Sequence, residues 1–451
     1  MSGLPGPNFE VERDDVFLWT TAMLRIPCRQ RADWRKTVES QGLLFHTIDG
    51  EPYWDEAAYY LFEGKEVDQI EAATYRLDEM CLAAVEHVIE DGRLDEFDIP
   101  APFHEFVARS WEEDEHTIYG RFDLSYDGVH PPKLLEYNAD TPTALLEAAV
   151  IQWFWSKDLL SSVDPIDRAQ FDQFNCIHER LIEAWGSIRK GLGSRVAFAS
   201  QGDALEDVMT VSYLRDTAIQ AGLQTGFLAV SDIGWHGGRG VFTDLRERAI
   251  EVLFKLYPWE WMLREGFGGH LRYAPTRWLE PPWKMILSNK AILSVLYELF
   301  PESPYLLRAG FEPTGDSYVV KPIYSREGAN VTIVRDGRTI AETGGEYSDA
   351  PHVYQDFHAL PSFDGRHPVI GSWIVNGYAC GMGLREDDGL ITRNTSRFVP
   401  HVFRKSAFAK PLEMNSKLRP DRREDSTAPE DDPLWDGWLD RFPGTGRRHG
   451  E

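Results

Sequence analysis

Between residues 119 and 143 the chain reads Tyr119-Gly-Arg-Phe-Asp123, an Asp127-Gly128 turn, and Leu134-Leu-Glu-Tyr-Asn-Ala-Asp-Thr-Pro-Thr143. Side chains alternate across a strand, so a hairpin built from this segment puts Arg121, Asp123, Glu136 and Asn138 on one surface. The other surface carries Phe122 and Leu124 against Leu135 and Tyr137, an apolar set that anchors the hairpin in a core. Asp, Glu and Asn supply the oxygen ligands that a hard cation such as Mg2+ takes, and an adjacent Arg suits a phosphate. Alternation also produces polar faces in ordinary antiparallel sheets, so by itself the pattern fits a solvated face with cross-strand charge pairs equally well.

A chain of 451 residues with 42% hydrophobic content exceeds what one core usually serves, and two or three packed subdomains are expected. The 73 acidic against 47 basic residues give a formal charge of -26, a field that repels nucleic acid and anionic membrane surfaces and tolerates a cationic amine. Cys28, Cys81, Cys176 and Cys380 are far apart, without zinc or disulfide spacing, which fits a reducing cytoplasm. The opening Met1-Ser-Gly-Leu-Pro-Gly-Pro has no leader character.

Along the chain, Ile70, Ala73, Leu77, Met80, Cys81, Ala84, Val85 and Val88 predict a long helix within about 55–95. Residues 144–155 read as a helix buried on several sides, and 171–190 as an amphipathic helix. Residues 195–200, 206–221 and 224–230 form a β-α-β unit, read as an α/β insertion over 195–265. From Tyr318 to about Arg404, strands alternate with Gly-rich turns. Beyond 405 the charged, Pro-rich composition predicts a flexible tail over 406–451, and residues 1–14 an N-terminal arm.

The second chemical cluster is Tyr318-Val-Val-Lys-Pro-Ile-Tyr-Ser-Arg-Glu-Gly-Ala-Asn330. A strand ends at Lys321, and a loop with Ser325, Arg326 and Gly328 offers backbone N–H groups to phosphates; it is not a Walker loop, and an ordinary turn is the competing reading. Lys290 precedes a helix, and Val353-Tyr-Gln-Asp-Phe-His358 reads as a strand running into a polar hinge suited to an adenine edge. His46, His104, His178, His236 and His270 are scattered and mark no acid–base site.

Together Leu135-Glu-Tyr-Asn-Ala-Asp-Thr-Pro-Thr, Trp283-Lys-Met-Ile-Leu-Ser-Asn-Lys-Ala-Ile-Leu, Val320-Lys-Pro-Ile, Tyr354-Gln and Leu384-Arg385 resemble the synthetase domain of the glutathionylspermidine synthase family and its amidase-free relatives, over about residues 15–405. The resemblance implies an α/β (α+β) ATP-grasp fold with ATP-binding lobes over 280–405. It also implies a ligase that joins a small carboxylic acid, peptide-like or otherwise, to an amine such as a polyamine through an acyl-phosphate, with ATP and Mg2+. It places Arg121 at the transferred phosphate, with Phe122 and Asp123 beside the nucleotide, and makes Asp123, Glu136 and Asn138 the magnesium ligands. Lys290, Lys321 and Arg385 meet the triphosphate, and Glu327 and Gly328 lie over it. Gln355, Asp356, Phe357 and His358 hold the adenine, and Leu390, Ile391 and Thr392 complete the nucleotide pocket. Thr141, Thr143, Glu206 and Trp261 stand at the substrate. Trp261 replaces a threonine and Val369 a glutamine, and no amidase segment precedes the synthetase-like region. Two other readings stay open: a nucleotide-sensing protein that has lost ligation, and a metal-dependent hydrolase using Asp123 and Glu136 without ATP.

Overall fold

The hairpin forms and sits inside a larger sheet. In the computed structural model, which describes residues 23–405, Tyr119–Ser125 and Lys133–Asn138 are two strands of a five-stranded antiparallel sheet. The other three are His367–Val375, Tyr378–Asp387 and Arg397–Val399, and His367–Val375 pairs with Tyr119–Ser125. The arm over 1–14 and the tail over 406–451 lie outside the described residues.

The apolar face of this sheet packs against the Gly64–Glu90 helix, whose buried stripe holds the expected residues from Ile70 to Val88. Helix spacing makes that stripe, and a reciprocal Glu63/Glu66 capping box satisfies the helix start. The helix begins only at Gly64, because Ala58–Glu63 is a strand. Across the interface the Thr74 and Ser372 hydroxyls lie 2.6 Å apart.

A second antiparallel sheet contains Ala309–Gly310, Tyr318–Pro322, Thr332–Arg335, Arg338–Glu342 and His352–Asp356, with Tyr318–Pro322 between Thr332–Arg335 and His352–Asp356. A third sheet is parallel, in the order Arg277–Leu279, Val252–Leu256, Arg195–Ser200, Gln224–Ala229. It contains the expected β-α-β unit, with the Leu205–Gln220 helix as the crossover, and takes one strand from beyond residue 265. Residues 171–190 differ from the sequence reading: Phe171–Asp172 pairs with His401–Arg404 as a short strand, and the helix starts at Ile177. The 144–155 segment is helical and buried as expected, with a π-helical turn at Glu147–Ile151. Among the described residues no helix is long and apolar enough to cross a membrane.

A buried ion pair ties the parallel sheet to the hairpin's exit. Lys255 Nζ lies 2.5 Å from Asp140 Oδ1, and both side chains are 1% exposed. Asp140 also accepts from the Trp259 backbone N–H at 3.2 Å, and the ammonium lies 4.5 Å from the Trp259 ring centroid. Asp140→Ala strands a buried ammonium and is expected to cost about 3–5 kcal/mol. Chemical denaturation measures that loss, and Asp140→Asn, which keeps the shape and one acceptor, should lose less.

Candidate functional site

A cleft of about 530 Å3 opens between the hairpin's polar face, the second antiparallel sheet and one end of the parallel sheet. The hairpin contributes Arg121, Asp123, Glu136 and Asn138. Lys290, Lys321, Glu327, Gly328, Gln355, Asp356, Phe357, His358, Arg385, Leu390, Ile391 and Thr392 line the same space, as do Thr141, Thr143, Glu206 and Trp261. Phe122 alone stands apart: it faces the core, its ring stacked on Tyr137 at 3.8 Å.

A bulge sets which side chains reach the cleft. Pairing shifts between Asp123 and Leu124, so Leu124 faces Leu134 in the core and Leu135 turns into the cleft. Plain alternation had put Leu135 against Leu124. An extra residue in one strand rotates the following side chains, and such bulges often re-aim side chains at sites. Ahead of the bulge the register is direct, with Arg121 opposite Asn138 and Asp123 opposite Glu136.

The charges are tightly interlocked. Arg121 donates through Nε to Asp123 Oδ1 at 2.7 Å and through a terminal nitrogen to Oδ2 at 3.1 Å, and its other arm donates to the Thr143 carbonyl at 2.6 Å. Arg385 reaches the same Asp123 Oδ2 at 2.8 Å. Asn138 donates to Asp123 and Glu136 at 3.3 and 3.0 Å. Lys290 Nζ lies 3.1 Å from Glu136 Oε2 and donates to the Ser325 carbonyl at 2.5 Å. Lys321 donates to the Leu135 carbonyl at 2.9 Å and to Gln355 Oε1 at 2.7 Å.

The buried cations and carboxylates shift one another. Burial opposes ionisation of Glu136, yet Lys290 and Lys321 hold its carboxyl well below the usual carboxylate range. Its side chain keeps 27% exposure to the cleft, so part of that pull is screened by water. Burial, helped by the charge on Lys290, brings the Lys321 ammonium down to about 8 against the attraction of Glu136. A lysine whose folded pKa lies below its unfolded one costs stability while it stays charged in the fold, and stability recovers as pH rises through the window from about 8 towards the ordinary lysine value. A polyanion bound beside Lys321 raises that pKa again, so nucleotide binding near pH 8.5 is expected to take up protons. Calorimetry in buffers of differing ionisation enthalpy measures the uptake. Lys321→Ala should lose it and weaken nucleotide affinity, and Lys290→Ala should weaken affinity as well; unchanged affinity in both variants removes the phosphate-site assignment.

Two glycines fix the approach of neighbouring segments. A Cβ on Gly371 would stand 2.8 Å from Arg121 Cδ, so the strand beside Tyr119–Ser125 is stripped to backbone where the arginine lies across it. Gly328 has φ +70°, and a Cβ there would lie 2.5 Å from the Thr392 carbonyl. With Glu327 and Asn330 also at positive φ, the Ser325–Asn330 loop is tightly wound against the 390–392 segment. Arg326 ties it to the opposite wall, donating to Thr141 Oγ1 at 2.6 Å and Glu260 Oε1 at 2.8 Å. The hairpin's entry is fixed from behind by the buried Glu280 carboxylate, which accepts from the Ile118 and Tyr119 backbone N–H groups and pairs with Lys284 at 2.8 Å.

Sequence reasoning missed Gly371, whose role depends on a strand roughly 250 residues away that the sequence does not pair with the hairpin. It also missed Gln201, Ala204, Leu205, Tyr257 and Pro258 at the cleft's far end. They follow strands Arg195–Ser200 and Val252–Leu256, and ligands gather at the carboxyl ends of parallel strands, a signal that would have found them.

Residues 25–404 match the family described as glutathionylspermidine synthase preATP-grasp. The chain is 42% identical over 368 residues to a Haemophilus influenzae protein named "Putative acid--amine ligase", covering 79% of this chain and 92% of that one. It is 30% identical over 358 residues to trypanothione synthetase of Crithidia fasciculata, and 27% identical over 386 residues to the bifunctional glutathionylspermidine synthetase/amidase of Escherichia coli. These alignments cover 73% and 79% of this chain but only 54% and 60% of the two relatives. A glutathione synthetase-like effector from Globodera pallida, solved in its apo form, shares the fold with a TM-score of 0.55 at 10% identity, over 82% of this chain and 95% of that one.

Proposed function

The chain belongs to the glutathionylspermidine synthase family, and from that premise we propose that it is an ATP- and Mg2+-dependent ligase joining a small carboxylic acid to an amine. The observation that carries the reading is the convergence of Arg121, Arg385 and Lys290 on the carboxylates of one hairpin face, with Lys321 lining the same cleft beside them. A metal-dependent hydrolase has no use for so many cations, whereas a triphosphate does.

The donor set fits magnesium. Asp123, Glu136 and Asn138 offer two carboxylates and one amide on adjacent strands, and among the described residues no group of three or more His, Cys, Asp or Glu could hold a metal without help. Mg2+ keeps waters and shares phosphate oxygens, so a site completed by the nucleotide suits it. When bound, the ion would supply positive charge against the phosphate oxygens. Asn138 now donates to both carboxylates, and a turn of its amide would present oxygen instead.

In the reaction, the acid's carboxylate oxygen attacks the γ-phosphorus of ATP and ADP leaves. The amine then attacks the acyl carbon, inorganic phosphate leaves, and the amine's proton passes to solvent. No covalent bond to the protein is needed. Phosphoryl transfer spreads charge over the phosphate oxygens, so the protein's work is positioning and cationic stabilisation by Arg121, Lys290 and Lys321. The acyl-phosphate hydrolyses if water enters, and the Ser325–Asn330 loop closes the cleft over it.

The test is a phosphate-release screen of carboxylates against amines, with product mass measured. Phosphate released only when an acid and an amine are both present, and a product weighing acid plus amine minus water, support ligation. ATP turnover indifferent to either substrate favours the sensor reading.

A further inference from the structure

The cleft has two ends of different chemistry. At one, Val319, Ile333 and Phe357 accompany Gln355 and Lys321, the surroundings of a nucleotide. The other is built on the carboxyl ends of the parallel strands Arg195–Ser200 and Val252–Leu256, where Leu205, Tyr257, Pro258 and Trp261 form the wall.

That far wall carries uncovered apolar side chains. Trp261 is 37% exposed and Leu205 46% exposed, and both line the cleft. Large apolar side chains left uncovered inside a cleft mark a surface that a ligand covers. Tyr257 meets Trp261 edge-to-face at 5.4 Å and the Arg326 guanidinium lies 5.9 Å from the Trp261 ring, so the indole is braced from two sides.

Electrostatics restrict the ligand further. Glu206, Asp207 and Glu327 share this end: burial and then the charges of Glu206 and Glu327 push the Asp207 carboxyl up to about 7. Glu327 is likewise raised, by burial and then by Glu206. Arg326, the cation on this wall, is already paired with Glu260 at 2.8 Å. With these carboxyls held towards their neutral form and Arg326 already paired, a second carboxylate on the ligand finds no unpaired cation on this wall, whereas the apolar body of a monocarboxylate needs none.

Resting on the ligase reading above, we infer that the acid substrate is a monocarboxylate with a flat or branched apolar body, seated on Trp261 and Leu205, its single carboxylate directed towards Arg121. A multiply charged peptide acid is selected against by the same wall.

Hydroxylamine serves as a generic amine that converts an acyl-phosphate to a hydroxamate. With Mg2+ and ATP, 3-phenylpropionate, indole-3-acetate and 4-methylpentanoate are compared with succinate and glutathione by ADP release and hydroxamate formation. The apolar monocarboxylates are expected to exceed the charged acids at least about tenfold in kcat/KM, and Trp261→Thr to shrink that ratio by about tenfold, the scale of one aromatic contact. Calorimetry of each acid in the presence of a non-hydrolysable ATP analogue gives the same comparison without turnover. If no acid stimulates ADP release, the ligase reading fails while binding still decides the ligand class. Equal or tighter use of glutathione or succinate, an unchanged ratio in Trp261→Thr, or no binding by any apolar acid overturns the inference.

Discussion

Replacing Arg121 with alanine is expected to stop acid activation while ATP and Mg2+ still bind. The guanidinium is buried, donates two bonds to Asp123 and one to the Thr143 carbonyl, and is laid over the bare backbone of Gly371. A cation so fixed cannot follow a mobile phosphate tail, yet it stands beside Asp123, the carboxylate proposed for the metal, where a phosphoryl group in transit would pass. An interaction made only in the transition state lowers turnover without a comparable loss of affinity. Arginines that stabilise phosphoryl transfer contribute roughly a thousandfold or more in rate. Arg121→Lys should be nearly as inactive, because a point charge cannot hold Asp123 with two donors and reach Thr143 as well. Nucleotide affinity by calorimetry and single-turnover phosphate transfer, measured on the same preparations, separate the cases. Normal transfer, or a defect confined to ATP affinity, makes Arg121 a binding or structural residue and moves weight to the nucleotide sensor. Gly371→Val offers a check in which the arginine is kept but displaced: its side chain would enter the space of Arg121 Cδ, and it should lower transfer while leaving the charge count unchanged.

The polar face of the hairpin was legible because period-two alternation needs only local sequence, and Arg121, Asp123, Glu136 and Asn138 do share one surface. The bulge was not, since pairing depends on both strands at once, and so Leu135 changed sides. The long helix announced itself by its stripe, but its first turn did not, because Ala58–Glu63 is apolar enough to continue the pattern while pairing as a strand. Residues 171–176 were absorbed into a helix for a similar reason: Phe171–Asp172 is a strand only by virtue of His401–Arg404, more than two hundred residues on. Most of the cleft comes together over comparable distances. Lys290 reaches Glu136 from another segment, and Arg385 reaches Asp123 across 262 positions. Neither contact follows from spacing; the resemblance of several motifs in a fixed order to one family only grouped these residues around one nucleotide. At the far wall the resemblance singled out Glu206 and Trp261; Leu205, Tyr257 and Pro258 belong to no motif, and the direction of the parallel strands, visible once they are paired, points to them.

Glu136→Ala should produce two opposite changes in one protein. In the wild type the carboxylate lies 3.1 Å from Lys290, and Lys290 and Lys321 hold it ionised well below the usual carboxylate range. Between about pH 5 and 9 it therefore stays charged, and an acidic fall in activity there belongs to another group. Removing it leaves the two lysines without this neutralising partner while they stay anchored to the Ser325 and Leu135 carbonyls. A trianionic or tetra-anionic nucleotide then meets a more positive site, so affinity for ATP without Mg2+ should rise severalfold. Catalysis should move the other way. With a metal ligand gone, turnover is expected to drop by about a hundredfold or more, the scale of losing one preorganised electrostatic group, and to require far higher Mg2+. Glu136→Gln keeps an oxygen and the local shape, and should share the gain in metal-free affinity while recovering part of the magnesium response. Titrating Mg2+ against ATP turnover and measuring ATP affinity in chelator give both readings. A Glu136→Ala protein with wild-type Mg2+-dependent turnover would remove the metal assignment. Lower metal-free ATP affinity would show that Glu136 organises Lys290 and Lys321 more than it neutralises them.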